Sequence, residues 1–467
     1  MSVFFTHRDP DTAYVTNNLL LPKARIPLTA IKNALEFVIG DEDVIDDLTG
    51  DVLGTIPKVL RMWDENEHHL IVPRNFVDPE TYDSYPFSFV VERPDFETVH
   101  IESRAVPRNE TQERAIQALL AHDSGTLNLA CGKGKTVVSL MLAARLKVPT
   151  IVIVNSKNLI AQWREEVENH LNVSGVGIIQ GKRMEWQRHP IVIATIQTLA
   201  LRRDKLPKAF RDRFGLALFD EGHHMSAPKF VLGADLFRGR RYALTATAFR
   251  TDGLEAIYQY HLGKIVYRDL SQDLIPQTVF HVLDWHMPPG DRSRIRDVNG
   301  NVNAAKVQGY LGSKEWRNDI IAGLIRRDLR EGREVIVLSH SKDHVYALAG
   351  RFGDNNAITG DIADENERLR ILREENPVFG TFHLAREALN KKKLDTLYVA
   401  TPFSNSNDLQ QSWGRIQREL EGKGAPLVRV LEDKNIKLCA NSCRKLRKFL
   451  RVLRYPAVRE QVDLRRA

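Results

Sequence analysis

From Thr111 onward the chain alternates short, continuously apolar runs with longer stretches of helical spacing. The runs are TLNLA (126–130), TIVIVN (150–155), IVIATI (191–196), LALFD (216–220) and YALTAT (242–247). Between them, TVVSLMLAARLK (136–147) and LIAQWREEVENHL (159–171) carry apolar residues three and four apart. Strands that are apolar on both faces, separated by helices, predict a parallel, doubly wound sheet. The pattern pauses over a polar stretch at about 275–312, which holds MPPGDRSRIRDVNGN, and then resumes. EVIVLSH (334–340), AITG (357–360), TLYVAT (396–401) and LVRVLED (427–433) predict a second α/β unit. The first hundred residues have a different texture. LTAIKNALEFV (28–38) has helical spacing, while HHLIVPRNFV (68–77) and SFVVER (88–93) read as strands.

The predicted organisation is therefore a small α+β front domain (1–105), two α/β units in tandem (106–275 and 276–433), and a C-terminal extension (434–467). A length of 467 residues accommodates three domains of about 150 residues each. The extension contains CRKLRKFLRVLRY (443–455), a basic helix with Leu446, Leu450 and Leu453 on one face.

Charge sharpens this division. The net charge is +7, yet the first 100 residues hold 8 Lys/Arg against 18 Asp/Glu. The basic remainder suits a polyanionic partner, and the acidic front domain calls for another role, such as binding a protein. No apolar run approaches the ~20 residues that span a bilayer, so no membrane is expected. The start MSVFFTHRDP lacks the pattern of a secretory signal. Three cysteines cannot build a disulfide framework, which points to a reducing, cytoplasmic setting. Cys439 and Cys443 lack the partners of a zinc site. His68 and His69 read as ordinary surface or core histidines.

Three motifs carry chemistry. CGKGKT (131–136) lies between a strand and a helix. Gly132 and Gly134 let backbone N–H groups turn toward phosphate oxygens, with Cys131 and Lys133 completing the loop. Lys135 can reach the β- and γ-phosphates of ATP, and the Thr136 hydroxyl can bind Mg²⁺. The strict phosphate-loop pattern would place glycine at 129, where this chain has Leu129. In LALFDEGHH (216–224), an apolar strand delivers Asp220 and Glu221 at its C-terminal end, where open α/β sheets bind ligands. Asp220 is expected to hold Mg²⁺, Glu221 to act as general base on water, and His223 to couple nucleotide state to strand grip. In QSWGRIQR (411–418), Gln411, Arg415 and Arg418 fall on one helical face, and an arginine there can stabilise charge on a transferring phosphoryl group.

Together these residues resemble motifs I, II and VI of the superfamily 2 helicases, a family of two RecA-like lobes. The remaining family motifs can be matched in order. RNETQERA (108–115) resembles the glutamine motif, implying nucleotide contacts at Arg108 and Gln112. NSKNLIAQW (155–163) and ATIQTLA (194–200) resemble strand-contacting segments, implying DNA contacts at Asn155, Gln162, Thr195 and Gln197. Thr245 and Thr247 match the coupling motif III, with Arg250 after it. LSHSKDH (338–344) implies contacts at Ser339 and His340, and AREALNKKKLD (385–395) places Glu387 and Asn390 near the lobe interface. LTATAFRTDG (244–253), DEGHH and LIAQW are similar to the XPB and UvsW group, and among these to the phage-type UvsW-like helicases. The resemblance implies a DNA-dependent ATPase that remodels forks and branched DNA. Three other outputs share the motif set: a translocating subunit of a restriction nuclease, an RNA helicase, or an ATP-gated binding module.

Overall fold

The computed structural model describes residues 8–45, 52–130, 132–222, 233–246, 255–271, 274–298, 300–353, 355–382, 393–402, 416 and 423–464. The chain divides into two compact units, Met1–Leu270 and Ser271–Ala467.

The first unit is built on an eight-stranded sheet. Its order is Arg183–Met184, Val176–Gln180, Ile191–Thr195, Thr150–Val154, Leu216–Asp220, Arg240–Thr245, Ser124–Leu129, Ile265–Asp269. Every neighbouring pair is parallel except the antiparallel edge strand Arg183–Met184. The strands Thr150–Val154 and Ile191–Thr195 are buried along their whole length, as their unbroken apolar sequences require. Helices cover both faces. Val138 and Leu142 of Lys135–Leu146 share one core with Trp163 and Val167 of Lys157–His170. Phe210, Phe214, Phe219 and Phe237 fill the other. Parallel pairing puts the C-terminal ends of the strands on one edge, so Ala130, Asn155, Asp220 and Thr245 follow or end strands on the same side of the sheet.

The second unit repeats the plan with seven strands, all parallel. Their order is Ala357–Ile358, Val378–Thr381, Val335–Ser339, Thr396–Val399, Leu427–Asp433, Gln277–Leu283, Ala457–Gln461. The basic extension forms the helix Lys437–Leu453, which packs on this sheet, and the strand Ala457–Gln461 at its edge. The architecture is thus two RecA-like parallel-sheet lobes in tandem with a small α+β front domain.

The front domain holds a five-stranded sheet and a two-stranded antiparallel ribbon, Glu36–Ile45 with Val52–Arg61. The helix expected over 28–38 stops at Ala34, because Glu36 onward pairs into the ribbon. His69 is a core residue whose Nε2 lies 3.0 Å from the Thr12 carbonyl. The domain is docked on the first lobe through arginine and asparagine bonds to backbone. Arg74 donates to the Gly239 carbonyl at 2.7 Å, Asn17 to Asp235 O at 2.7 Å, and Asn75 to His261 O at 2.9 Å. Arg241, fully buried, donates to the carbonyls of Ala234 and Asn17. Ion pairs add to these bonds: Glu92 meets Arg238 at 3.7 Å, Glu97 meets Arg213 at 3.4 Å, Asp78 pairs with Lys264, and Arg93 pairs with Asp123.

Candidate phosphate and cation site

The strand Ser124–Leu129 and the helix Lys135–Leu146 are joined by the glycine-bearing loop. Gly132 and Gly134 have φ of 86° and 81°, a left-handed conformation that favours glycine. Gly134 caps the helix. A Cβ added there would lie 2.6 Å from Gln112 Nε2, so a side chain would displace the Gln112 carboxamide. The N–H groups of Lys135 and Thr136 begin the helix and have no acceptor within it, and the helix dipole favours an anion in front of them. The Lys133 N–H closes the turn on Ala130 O at 3.2 Å. Lys135 folds back, its Nζ 3.5 Å from Leu129 O.

Gln112 braces this loop. It is buried, its Oε1 accepts from the Arg108 N–H at 2.9 Å, and its Nε2 donates to Lys133 O at 3.2 Å. Asn109 caps the helix beneath it by accepting from the Gln112 N–H at 3.0 Å. The resemblance implies a base contact for Gln112; in this structure its carboxamide positions the phosphate loop.

Asp220 ends the strand Leu216–Asp220, two strands away from the loop strand. Its Oδ2 accepts from the Trp163 indole N–H at 2.8 Å. Desolvation and the neighbouring Glu221 carboxylate push its carboxyl well above the usual carboxylate range, while the Trp163 bond and the positive charge of Lys135 oppose the rise. No cation lies within ion-pair distance of Asp220 among the described residues. Glu221 has φ of +50°, a strained conformation for a side-chain-bearing residue, and it turns the chain sharply at the strand end. Gly222 follows against the next strand, where an added Cβ would lie 2.5 Å from Ala243 Cβ.

These donors suit a hard divalent cation. Asp220 offers a carboxylate that lacks an ionic partner and is poorly solvated, and Thr136 offers a hydroxyl at the mouth of the loop. The N–H groups at the helix start and Lys135 suit phosphate. The residues present therefore fit ATP with Mg²⁺.

The loop strand is tied to the third motif. Asn128, fully buried, donates from Nδ2 to the Thr245 carbonyl at 3.1 Å, across the register pair Asn128–Thr245. The expected strand-contacting residues separate into two groups. Gln197 is exposed and donates to Asn155 O at 2.7 Å, and Gln162 is half-buried on its helix. His340 is exposed, with Nδ1 3.0 Å from Thr401 Oγ1 and its ring 4.3 Å from that of Phe382. Thr195 and Ser339, expected as surface contacts, are instead buried. The Thr195 hydroxyl pairs with Thr198 at 2.7 Å, and the Ser339 hydroxyl with His344 Nδ1 at 3.0 Å. Each is the last residue of its strand, and a side chain of the helix that follows claims its hydroxyl. Cys131, His223, Thr247, Arg250, Glu387, Asn390, Gln411, Arg415 and Arg418 lie outside the described residues. Of QSWGRIQR only Ile416 is described, buried in the second unit's core.

The residue reading missed Trp163 and Asn128 as site-shaping groups. Both are signalled only by being polar-capable residues inside otherwise apolar patterns. In the second unit it missed two buried ion pairs. Arg317 and Asp433 are both 0% exposed and 3.0 Å apart, with Arg317 also donating to Ala400 O at 2.8 Å. Arg429 and Asp328 are 2.6 Å apart, with the Tyr398 hydroxyl donating to Asp328 at 2.5 Å.

Comparison with known proteins adds the lineage. Residues 106–250 match the family described as "Type III restriction enzyme, res subunit". A protein of Sulfurisphaera tokodaii named "DNA 3'-5' translocase XPB2" is 32% identical over 199 residues, covering 42% of this chain and 41% of that protein. Over the matched residues the chain is similar to superfamily 2 helicases of XPB type. A viral relative, "Putative ATP-dependent RNA helicase" of Acanthamoeba polyphaga mimivirus, is 25% identical over 332 residues, covering 69% of this chain and 62% of its own length. The chain thus spans less than two thirds of either relative. The solved structure of S. cerevisiae Dbp5 bound to RNA and ADP BeF3 superposes with a TM-score of 0.53 at 15% identity. It covers 76% of this chain and 90% of Dbp5, a likeness of fold. No described helix is long and apolar enough to cross a membrane.

Proposed function

We infer that this chain is a superfamily 2 motor, an ATP-driven DNA translocase that remodels forked or branched duplex. The observation that carries the reading is the placement of Asp220, partly buried and without an ionic partner among the described residues, on the same sheet edge as the phosphate loop and within the field of Lys135. Thr136 and Asp220 hold Mg²⁺, and the loop with Lys135 holds the phosphates of ATP. Bound ATP·Mg²⁺ supplies the phosphoryl group whose transfer to water drives the cycle. Glu221 accepts the proton of the attacking water. Gln112 and Arg108 keep the loop in its binding shape. The Asn128–Thr245 bond passes a change at the loop to the third motif, with Thr247 and His223 completing the coupling. In this reading Arg415, Arg418 and Gln411 have catalytic roles and Glu387 a nucleotide-binding one.

Asn155, Gln162, Gln197, Arg250 and His340 contact the tracked strand, through backbone phosphates rather than base edges. The domain limits that go with this reading are 1–105, 106–275, 276–433 and 434–467, in an intracellular protein. XPB-type relatives named as DNA motors support DNA, while the mimivirus relative's name supports a second reading as an RNA helicase. Steady-state ATPase assays with no polymer, single-stranded DNA, blunt duplex, a four-way junction and matched RNA decide between them, with Glu221→Gln as control. Greatest stimulation by forks or junctions is expected. Equal stimulation by RNA transfers the assignment to the second reading, and no stimulation by any polymer refutes a motor.

A further inference from the structure

The helix Lys437–Leu453 has two faces of opposite chemistry. Cys439, Cys443, Leu446 and Leu450 point inward and are at most 2% exposed, packed into the cores of the second unit. The other face exposes Lys437, Arg444, Lys445, Lys448 and Arg451. Lys437, Arg444, Lys448 and Arg451 follow one another at intervals of seven, four and three residues, which is a single stripe. The helix contains no Asp or Glu. Arg447 alone among its cations turns back to the lobe, where it meets Glu432 at 2.8 Å beside Arg459. None of the five exposed cations has an ion-pair partner among the described residues. Arg444 donates only to Asn441 Oδ1, at 3.1 Å.

Like charges spaced three and four residues apart on a helix repel, each pair costing a few tenths of a kcal/mol. The fold gains no pairing from this stripe, so its use lies outside the chain. A basic amphipathic helix can rest on a membrane only if its apolar face is available to the bilayer. Here that face is already spent on the lobe. What the stripe fits is a line of phosphates. From Lys437 to Arg451 it runs about 21 Å along the helix axis. That is about the axial length of six phosphates on one strand of a duplex.

We propose that the cationic face of Lys437–Leu453 is a nucleic-acid backbone contact, separate from the strand-contacting segments that the motifs imply. This rests on the nucleic-acid reading above. The contact is indifferent to sequence, because phosphates carry no base identity, and it weakens with salt as counterions are released.

The test uses the full chain without nucleotide and a blunt duplex of arbitrary sequence, followed by fluorescence anisotropy over a series of salt concentrations. The variant combines Arg444→Gln, Lys445→Gln, Lys448→Gln and Arg451→Gln; glutamine preserves helix propensity. Duplex affinity should fall on the order of tenfold or more, and the slope of log K against log salt should shrink by about 3. ATPase without polymer and the melting temperature should stay at their wild-type values. A variant with wild-type affinity and slope overturns the proposal, as does a wild-type chain that binds no duplex. Unchanged duplex binding with lost binding to phosphatidylserine-containing vesicles overturns it in favour of a lipid surface. The two readings fail separately. Polymer-stimulated ATPase with an unaffected duplex slope sinks only this contact. Unstimulated ATPase with a reduced slope sinks only the motor.

Discussion

The two α/β units share a plan yet treat charge at their strand ends in opposite ways. In the first, Asp220 sits partly buried beside Glu221 with an indole N–H as its side-chain donor and no ion pair among the described residues. In the second, Asp433 also ends a strand and also accepts from an indole, that of Trp285 at 2.8 Å, but Arg317 neutralises it completely. The same motif of carboxylate plus tryptophan is left electrostatically open in one unit and closed in the other. An open carboxylate is a seat for a cation; a closed one is a fastening. The difference leaves a cation seat in the first unit and internal bracing in the second.

The largest expected effect breaks the open site. Glu221→Gln should lower ATP turnover by about 10²-fold or more, the usual scale for losing a general base, with stability unchanged in a thermal melt. Next comes the closed site. Arg317→Met strands Asp433 in the core and should destabilise the second unit by about 3–5 kcal/mol, read by urea unfolding. Adding Asp433→Leu should recover much of that loss, because an apolar pair of similar volume is often neutral where half a pair is not. Failure to recover would mean that Asp433 has a role beyond the pair. Smaller is Trp163→Phe, which removes the donor to Asp220 and should cost about 1–2 kcal/mol while raising the Mg²⁺ concentration needed for half-maximal ATPase.

Acid provides the mildest test and separates His281 and His344 from Asp220 by sign. His344 and His281 in the second unit are pushed down to about 3 and about 4, mainly by burial. Their folded values lie below the unfolded value of about 6.5. The stability they lend is complete above that value and is lost as pH falls toward 4. Asp220 works the other way, since its raised carboxyl is relieved when protonated. His261 in the first unit, pushed down to about 4 by burial, partly offsets that relief. Hydrogen exchange followed by mass spectrometry from pH 7 to pH 5 should show protection falling sooner in peptides around His281 and His344 than in those around Asp220 (about half a unit of histidine titration suffices).

The sheets were legible because their strands are buried on both faces, so TIVIV and IVIAT announce themselves without any partner. The phosphate loop and the Asp220–Glu221 pair were legible because they are local in sequence. What escaped was everything set by distance. Arg317 meets Asp433 across 116 residues, and Trp163 meets Asp220 across 57. No periodicity encodes such pairings. Thr195 and Ser339 were misplaced for a related reason. Motif position says that a hydroxyl ends a strand, but only Thr198 and His344 decide whether it faces out. The front helix was overextended because EFV fits a helix and a ribbon equally, and pairing with Val52–Arg61 decided it.

Gly222 carries a consequence for the history of the chain as well as for its shape. With Ala243 Cβ only 2.5 Å from where a methyl would go, the two positions form one unit of inheritance. Alanine after the acidic pair would demand a smaller residue at 243 together with a small shift of its strand, where the Ala243 Cα lies 3.2 Å from the added methyl. A library that randomises position 222 alone will recover glycine and little else, while one that varies 222 and 243 together should return both spellings.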